Sequence, residues 1–329
     1  GTPLVSVVTS VYNGEKYLRS SLRSILQQEG VDFELIVVND GSNDRSGMIL
    51  KEMAENDERI HLIERHNKGL TSSLIEGCSK ARGTYIARHD TDDISLPDRL
   101  KTLAEMLEQQ SELVFASSWA EVIGPEDELL YRYTRPAGAE AATRMLLETR
   151  TGPPGHGSVM FRKDAYEAVG GYREQMYYAQ DSDLWLRFGL IGKLGYAQEV
   201  LYRYRVSHES ISGALHFQKL AYAELITQLF EVRKSGGDET ALLDQANQLR
   251  SAHETAPSSS QALTLYFIGR SLFDRKDERA ARYLAKCVRE RPLQLKAWLL
   301  LVAATPRMVF RAVSRSMTTQ AGSQSGRLT

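Results

Sequence analysis

Cysteine is nearly absent from this 329-residue chain, which holds only Cys78 and Cys287. The two lie far apart in helix-like surroundings, so neither a disulfide framework nor a cysteine-based zinc site is expected, and a reducing, cytoplasmic compartment fits best. Net charge is lacking too. A formal value of −1 offers no general attraction for a polyanion, which argues against a nucleic-acid partner. Any anionic substrate has to be held by local groups or by a cation. Long apolar runs are missing as well: "AWLLLVAA" (Ala297–Ala304) falls far short of the roughly 20 residues a membrane span needs. No signal-peptide pattern precedes the first strand-like run, so no secretory leader is expected. Glycine-rich phosphate cradles are also absent. "VYNGEKYL" (Val11–Leu18) has one glycine, Gly14, where a dinucleotide fingerprint needs three, and there is no P-loop lysine motif.

What is present is an alternation. With 42 % hydrophobic and 25 % charged residues the chain reads as globular, with room for two or three domains. "LVSVVTS" (Leu4–Ser10) is a β-branched run, followed by a helical pattern from about Glu15 to Gln28 in which Leu18, Leu22, Ile25 and Leu26 share a face. The pattern repeats through "FELIVVND" (Phe33–Asp40), "IHLIE" (Ile60–Glu64) and "TYIARHD" (Thr84–Asp90), each leading into a helix. Such units predict a mostly parallel sheet with helices on both faces, and a ligand site beyond the carboxyl ends of the strands.

Those ends are polar, and the fourth is the most acidic: "RHDTDD" places Asp90, Asp92 and Asp93 directly after an apolar run. In extended chain, residues i and i+2 point the same way, so Asp90 and Asp92 converge on one hard cation such as Mg²⁺ or Mn²⁺, and Arg88 shares their face. The competing reading makes these acids part of the next helix start, where Ser95 is an N-cap candidate and Pro97 lies in the first turn.

The strings "VSVVTSVYNGEKYLRSSLRSIL", "ELIVVNDGSNDRS", "HNKGLTSSLIEGCSKARGTYIARHDTDD", "GSVMFRKDAYEAVGGYRE" and "AQDSDLWLRF" together resemble family 2 glycosyltransferases of the GT-A fold, over about residues 4 to 213. The resemblance implies an inverting transfer of a sugar from a nucleotide-diphosphate donor, commonly a UDP-sugar, to an acceptor hydroxyl with Mn²⁺ or Mg²⁺. "DTDD" is similar to the family's Asp-x-Asp motif, with Asp90 toward the ribose and Asp92 on the metal. Asp40 matches the aspartate that accepts from the uracil N3–H, with an Asx turn into Gly41 as the alternative. Thr9, Tyr12, Asn13 and Glu15 resemble residues lining base and ribose, and Lys68 sits where a loop approaches the nucleotide. Arg88 either reaches a phosphate or salt-bridges an aspartate.

Asp181 matches the catalytic carboxylate, although Gln180 stands where the family usually has Glu, which leaves the acceptor more open. Asp183 reads as a helix-start acid pairing with Arg187. His208 falls where members carry a histidine that closes over the diphosphate or joins the metal. His156 lies on the acceptor side, and Trp185 either stacks on a sugar or belongs to the core. A glycan or lipid-linked acceptor, and a place in surface polysaccharide or glycoconjugate synthesis, follow from the same resemblance. Rival readings are a nucleotidyltransferase, which would need a glycine-rich phosphate loop, and a catalytically inactive sugar-nucleotide-binding or scaffold protein.

These readings divide the chain into a nucleotide-sugar half (1–110), an acceptor half (111–214) and a helical region (215–329). In the last, "ALTLYFIGRSLFDRKDERAARYLAKCVRERP" (Ala262–Pro292) predicts one helical hairpin similar to a tetratricopeptide unit. Its roles stay open between packing on the catalytic domain, pairing in a homodimer and binding a partner. "PRMVFRAVSRS" (306–316) has a basic amphipathic pattern suited to peripheral contact with the inner face of the cytoplasmic membrane, or to a plain capping helix. The final "TTQAGSQSGRLT" has a disordered composition.

Overall fold

The β-branched runs become neighbouring strands in the computed structural model, which describes residues 1–206, 217–253 and 261–305. β1 (Val5–Val11) lies between β2 (Phe33–Asp40) and β4 (Tyr85–Arg88), parallel to both, with Val5 opposite Phe33 on one side and Tyr85 on the other. β3 (Ile60–Arg65) extends the parallel part beyond β2. Alternation along these strands feeds two separate cores. Val5, Val7, Val11, Leu35 and Val37 pack with α1 (Leu18–Leu26), α2 (Ser46–Asn56) and α4 (Arg99–Gln109), whereas Val8, Ile36 and Ile86 pack with α3 (Leu70–Lys80) on the other face. All eight residues of β2 are buried, as expected of a strand covered on both sides.

The rest of the sheet departs from the expected parallel pattern. Between α3 and α5 (Ala139–Thr149) run the short β5 (Ile94–Ser95), β6 (Leu113–Ile123) and β7 (Leu129–Tyr133); β8 (Met160–Arg162), α6 (Lys163–Ala168), α7 (Gln180–Ile191) and β9 (Lys193–Arg205) follow. The strand order is β3-β2-β1-β4-β8-β6-β9-β5, with β7 paired to β6. β8 is antiparallel to both β4 and β6, and β5 is antiparallel to β9. Because β8 sits between β4 and β6, residues on either side of position 110 share one sheet, as halves of one domain would.

The helical region also divides differently. α8 (Phe217–Lys234) and α9 (Thr240–His253) belong to the same compact unit as the sheet: Tyr222, Leu225, Ile226, Leu229, Phe230 and Ala246 share a core with Trp185 and Phe188 of α7. The second unit contains Val122–Tyr131 together with α10 (Gln261–Asp274), α11 (Ala280–Glu290) and α12 (295–305). Here Cys287, late in α11, donates to the carbonyl of Ala262, early in α10, at 3.2 Å, so the two helices form the expected antiparallel hairpin. Glu128, fully buried in this unit, accepts hydrogen bonds from Tyr283 and Arg282. No helix among the described residues is long and apolar enough to cross a membrane. The expectations for 306–316 and for the final tail lie outside the described residues.

Candidate active site

The acidic knot after β4 is a turn rather than extended chain. β4 ends at Arg88, and the amide of Asp93 donates to the carbonyl of Asp90 at 3.1 Å. The directions of Asp90 and Asp92 are therefore set by a tight turn, not by strand alternation. Ser95 is no helix cap either: it lies on β5, and its hydroxyl accepts from Arg99 at 2.9 Å. Asp98, with φ of 62°, precedes α4 instead.

Buried groups hold this turn from below. The Tyr202 hydroxyl donates to Asp93 Oδ2 at 2.7 Å and accepts from the Asp90 amide at 3.3 Å, while the Arg205 amide donates to Asp93 Oδ1 at 2.7 Å. Arg205 also donates through Nε to the carbonyl of Asp92 at 2.7 Å, with its guanidinium 4.3 Å from the Tyr17 ring centre. Arg99, fully buried, bonds the carbonyls of Arg88 and Gly157 at 2.8 and 2.7 Å and stacks on Tyr202. Burial lowers its pKa to about 10. His89 is neutral because burial, then the charges of Arg99 and Arg88, lower its pKa well below the ordinary range; its ring bridges Ser21 and Ser95 at 2.8 and 3.2 Å. A side chain at Gly157 would collide with the Tyr202 hydroxyl and the Asp90 amide. Sequence reasoning did not find Tyr202 and Arg205, which stand more than 100 residues from the turn they hold.

The acids of the turn differ. Asp93 is fully buried, and burial, with the charges of Asp92 and Asp90, raises its pKa well above the ordinary range. Asp90 is bound at 2.7 Å by Arg88, whose fully buried guanidinium also bonds the carbonyls of Val8 and His89 and approaches His156 at 3.4 Å. Arg88 thus makes the salt bridge to an aspartate, orienting Asp90. Among the described residues Asp92 makes no ion pair comparable to that of Asp90, although the charge of Arg205 acts to lower its pKa. Burial, then the charge of Asp90, raises it from 3.8 to about 6.

Asp181 occupies the first turn of α7, entered through Ala179 in the left-handed region at φ 55°. The Ser182 amide donates to its Oδ1 at 2.8 Å. Burial raises its pKa, and the negative charge of Asp90 adds to the effect, so Asp181 lies within electrostatic reach of the turn. Asp183 faces the other way, buried against Arg187 at 2.6 Å as the i,i+4 spacing predicts.

The loops after β1 and β2 tie each other down. Asn13 accepts from the Asn43 amide at 2.9 Å, Glu15 accepts from the Arg45 amide at 2.9 Å, and Asp44 accepts from the Glu15 amide at 3.1 Å. Asn13 and Glu15 therefore shape the rim through each other's loops. Tyr12 projects outward, 54 % exposed. Asp40 is buried and accepts from Arg65 Nε at 2.7 Å, the Lys68 amide at 3.0 Å and the Gly69 amide at 2.8 Å, which leaves one acceptor position on Oδ2. Lys68 lines a pocket of about 410 Å³ with Asn67, Thr71, Ser72, Glu174 and Tyr177. Among the described residues, the buried Thr9 hydroxyl finds no hydrogen-bond partner.

Of the two candidate acceptor-side residues, Trp185 takes the core alternative and His156 is half-buried. Trp185 is 3 % exposed and stacks on Phe115 with ring centres 5.5 Å apart, so it is a core residue with no open face for a sugar. His156 is engaged with Tyr172 at 2.6 Å and with Arg88 at 3.4 Å, and desolvation, then the charge of Arg88, lowers its pKa well below the ordinary range. His208 lies outside the described residues. Among the described residues no group of three or more His, Cys, Asp or Glu side chains gathers to hold a metal ion.

The sequence model of Glycosyl transferase family 2 matches residues 6–170, half of the chain. EpsE of Bacillus subtilis (strain 168), named as a glycosyltransferase, is 38 % identical over 233 residues, covering 69 % of this chain and 81 % of EpsE. The chain belongs to glycosyltransferase family 2. Two solved structures share the fold of this transferase. TarS of S. aureus, in complex with UDP-GlcNAc, has a TM-score of 0.56 at 19 % identity, covering 95 % of this chain and 92 % of TarS. The mannosyltransferase PcManGT of Pyrobaculum calidifontis, in complex with GDP-Man and Mn²⁺, has a TM-score of 0.52 at 17 % identity, covering 94 % and 88 %. At these identities the likeness speaks for the fold alone, which is the GT-A fold with helices following it.

Proposed function

We propose that this glycosyltransferase moves a sugar from a nucleoside-diphosphate donor, a UDP-sugar first, to an acceptor hydroxyl with inversion, assisted by a divalent cation. The observation that carries the reading is the gathering of carboxylates at the β4 turn: the pKa values of Asp92 and Asp181 are raised first by desolvation and further by the charge of Asp90. An oxygen ligand with excess negative charge beside it suits Mg²⁺ or Mn²⁺, and one or two carboxylates suffice when substrate phosphates complete the shell. Asp92 would hold the ion, which when bound neutralises charge developing on the leaving diphosphate. Asp90, oriented by Arg88, faces the ribose. Asp40 offers its last acceptor position to a base N–H, with Thr9, Tyr12 and Lys68 beside it. The acceptor oxygen bonds to the anomeric carbon as the bond to the diphosphate oxygen breaks, and Asp181 takes the hydroxyl proton. A basic carboxylate is favoured for that task, and a raised pKa supplies it.

The acceptor is proposed as a sugar hydroxyl on a glycan or lipid-linked saccharide, which fits polysaccharide or glycoconjugate synthesis. Calorimetric titration of UDP and GDP, with Mn²⁺ and then with chelator, tests the donor site. Metal-dependent binding of one nucleotide that Asp92→Asn abolishes is the expected result. Absence of binding by either nucleotide under both conditions overturns the reading.

A further inference from the structure

α12 is apolar on two opposite faces. Ala297, Leu300, Leu301 and Ala304 point inward, and the last three share a cluster with Leu284 and Phe273 of the second unit. Leu295, Trp298, Leu299 and Val302, spaced i, i+3, i+4, i+7, form a second stripe on the outside. Together with Leu293 in the preceding turn they are 44–92 % exposed. The Trp298 indole N–H donates to the carbonyl of Pro292 at 2.9 Å, so burying the ring leaves no donor unsatisfied. A run of large side chains at this exposure marks a contact surface rather than ordinary surface scatter.

Charge decides what covers it. Residues 291–329 contain six Lys and Arg and no Asp or Glu, in a chain whose net charge is −1. Arg289, Arg291 and Lys296 are exposed around the stripe, and Glu290 is the one acid in residues 286–305. A second copy of the chain, docked through this stripe about a twofold axis, would bring like charges together. The chain's own residues beyond 305 add Arg307, Arg311 and Arg315 and supply no counter-charge. An anionic bilayer surface supplies both things the stripe lacks: apolar depth for Leu and Trp, and negative headgroups for the flanking cations.

We infer that the outer face of α12 is a peripheral docking surface for anionic lipid, with Leu295, Trp298, Leu299 and Val302 entering the interface and Arg291 and Lys296 at headgroup level. The inference stands apart from the donor and metal chemistry proposed above. It is tested by co-sedimenting the full chain with phosphatidylcholine vesicles, with and without about 30 mol % phosphatidylglycerol, at low and high salt. The expected result is binding to the anionic vesicles, about tenfold weaker binding to neutral ones, and a several-fold loss at high salt. Leu295→Glu/Leu299→Glu, at exposed positions, is expected to lower binding at least about tenfold while circular dichroism and the melting temperature stay as in the wild type. Arg291→Glu/Lys296→Glu, equally exposed, gives a several-fold loss without touching the apolar stripe. No binding of the wild type to anionic vesicles overturns the inference. So does unchanged binding of the leucine variant, which would move the contact to other basic residues, and so does a dimer in sedimentation velocity that the leucine variant dissolves.

Discussion

The acids at the ends of β1 and β2 and the acids around the β4 turn occupy the same edge of one sheet but are treated in opposite ways. Asp40 accepts three hydrogen bonds, and Asp44 is held below the ordinary carboxylate range because, against its burial, the hydroxyl and amide of Ser46 and the amide of Glu15 donate to it. Asp92 and Asp181 are instead half-buried beside another negative charge, and desolvation with the charge of Asp90 raises both. A satisfied carboxylate fixes a loop, whereas an under-satisfied one is poised for a cation or a proton. Residue type alone does not separate the two uses; the donors around each acid do.

The comparison is broken most severely by removing the under-satisfied charges. Asp181→Asn is expected to lower kcat by about 10²–10⁴-fold while nucleotide affinity stays within a few-fold of the wild type. Single-turnover kinetics beside calorimetry separates these effects, and an equal loss of binding would move Asp181 from catalysis to the donor site. Because a base must be ionised and its pKa is raised, the rate should fall as pH drops through that raised value, not at the ordinary aspartate value.

Asp92→Asn should act in two directions. It removes metal-dependent nucleotide binding, yet it stabilises the protein without ligands. The folded pKa of about 6 exceeds the ordinary 3.8, so ionised Asp92 costs stability above about pH 6, and the cost disappears as pH falls toward 3.8. At pH 7 the variant should gain about 1–3 kcal/mol, and at pH 4 little or nothing, in urea unfolding. A variant no more stable at pH 7 than the wild type would show that Asp92 is better solvated than its position suggests.

Tyr202→Phe tests the supports rather than the charges. It leaves a buried oxygen of Asp93 and the Asp90 amide without their partner, at an expected cost of about 2–3 kcal/mol. The loosened turn should also weaken metal-dependent nucleotide binding. Unfolding and calorimetry on one preparation distinguish this from simple loss of stability.

The legible part of this molecule was local. β-branched and apolar runs marked β1 to β4, and the family strings carried the order of the acids, because such signals reside in contiguous residues. β8 and β9 were not legible as strands of the same sheet, since pairing of Tyr85 with Arg162 or of Ser95 with Tyr202 leaves no mark in either segment alone. The same reason hid Tyr202 and Arg205 as supports of the turn. Trp185 and His156 sat in the right strings, but whether an aromatic faces a ligand or the core depends on what packs over it, here Phe115, Tyr172 and Arg88.

The smallest expected effect concerns Ala179, the left-handed residue that leads into the helix of Asp181. A non-glycine residue in that region costs about 1–2 kcal/mol, and glycine removes the strain at an entropic cost of about 0.5–1 kcal/mol in the unfolded chain. Ala179→Gly should therefore raise stability by about 0.5 kcal/mol, read as a slightly higher urea midpoint. If the strain serves to fix the direction of the first turn of α7, kcat falls a few-fold at the same time, because glycine lets Asp181 sample other orientations. If kcat holds while stability rises, the strained backbone is a by-product of packing Tyr178 into the core, and the position of Asp181 is set by the helix and its burial alone.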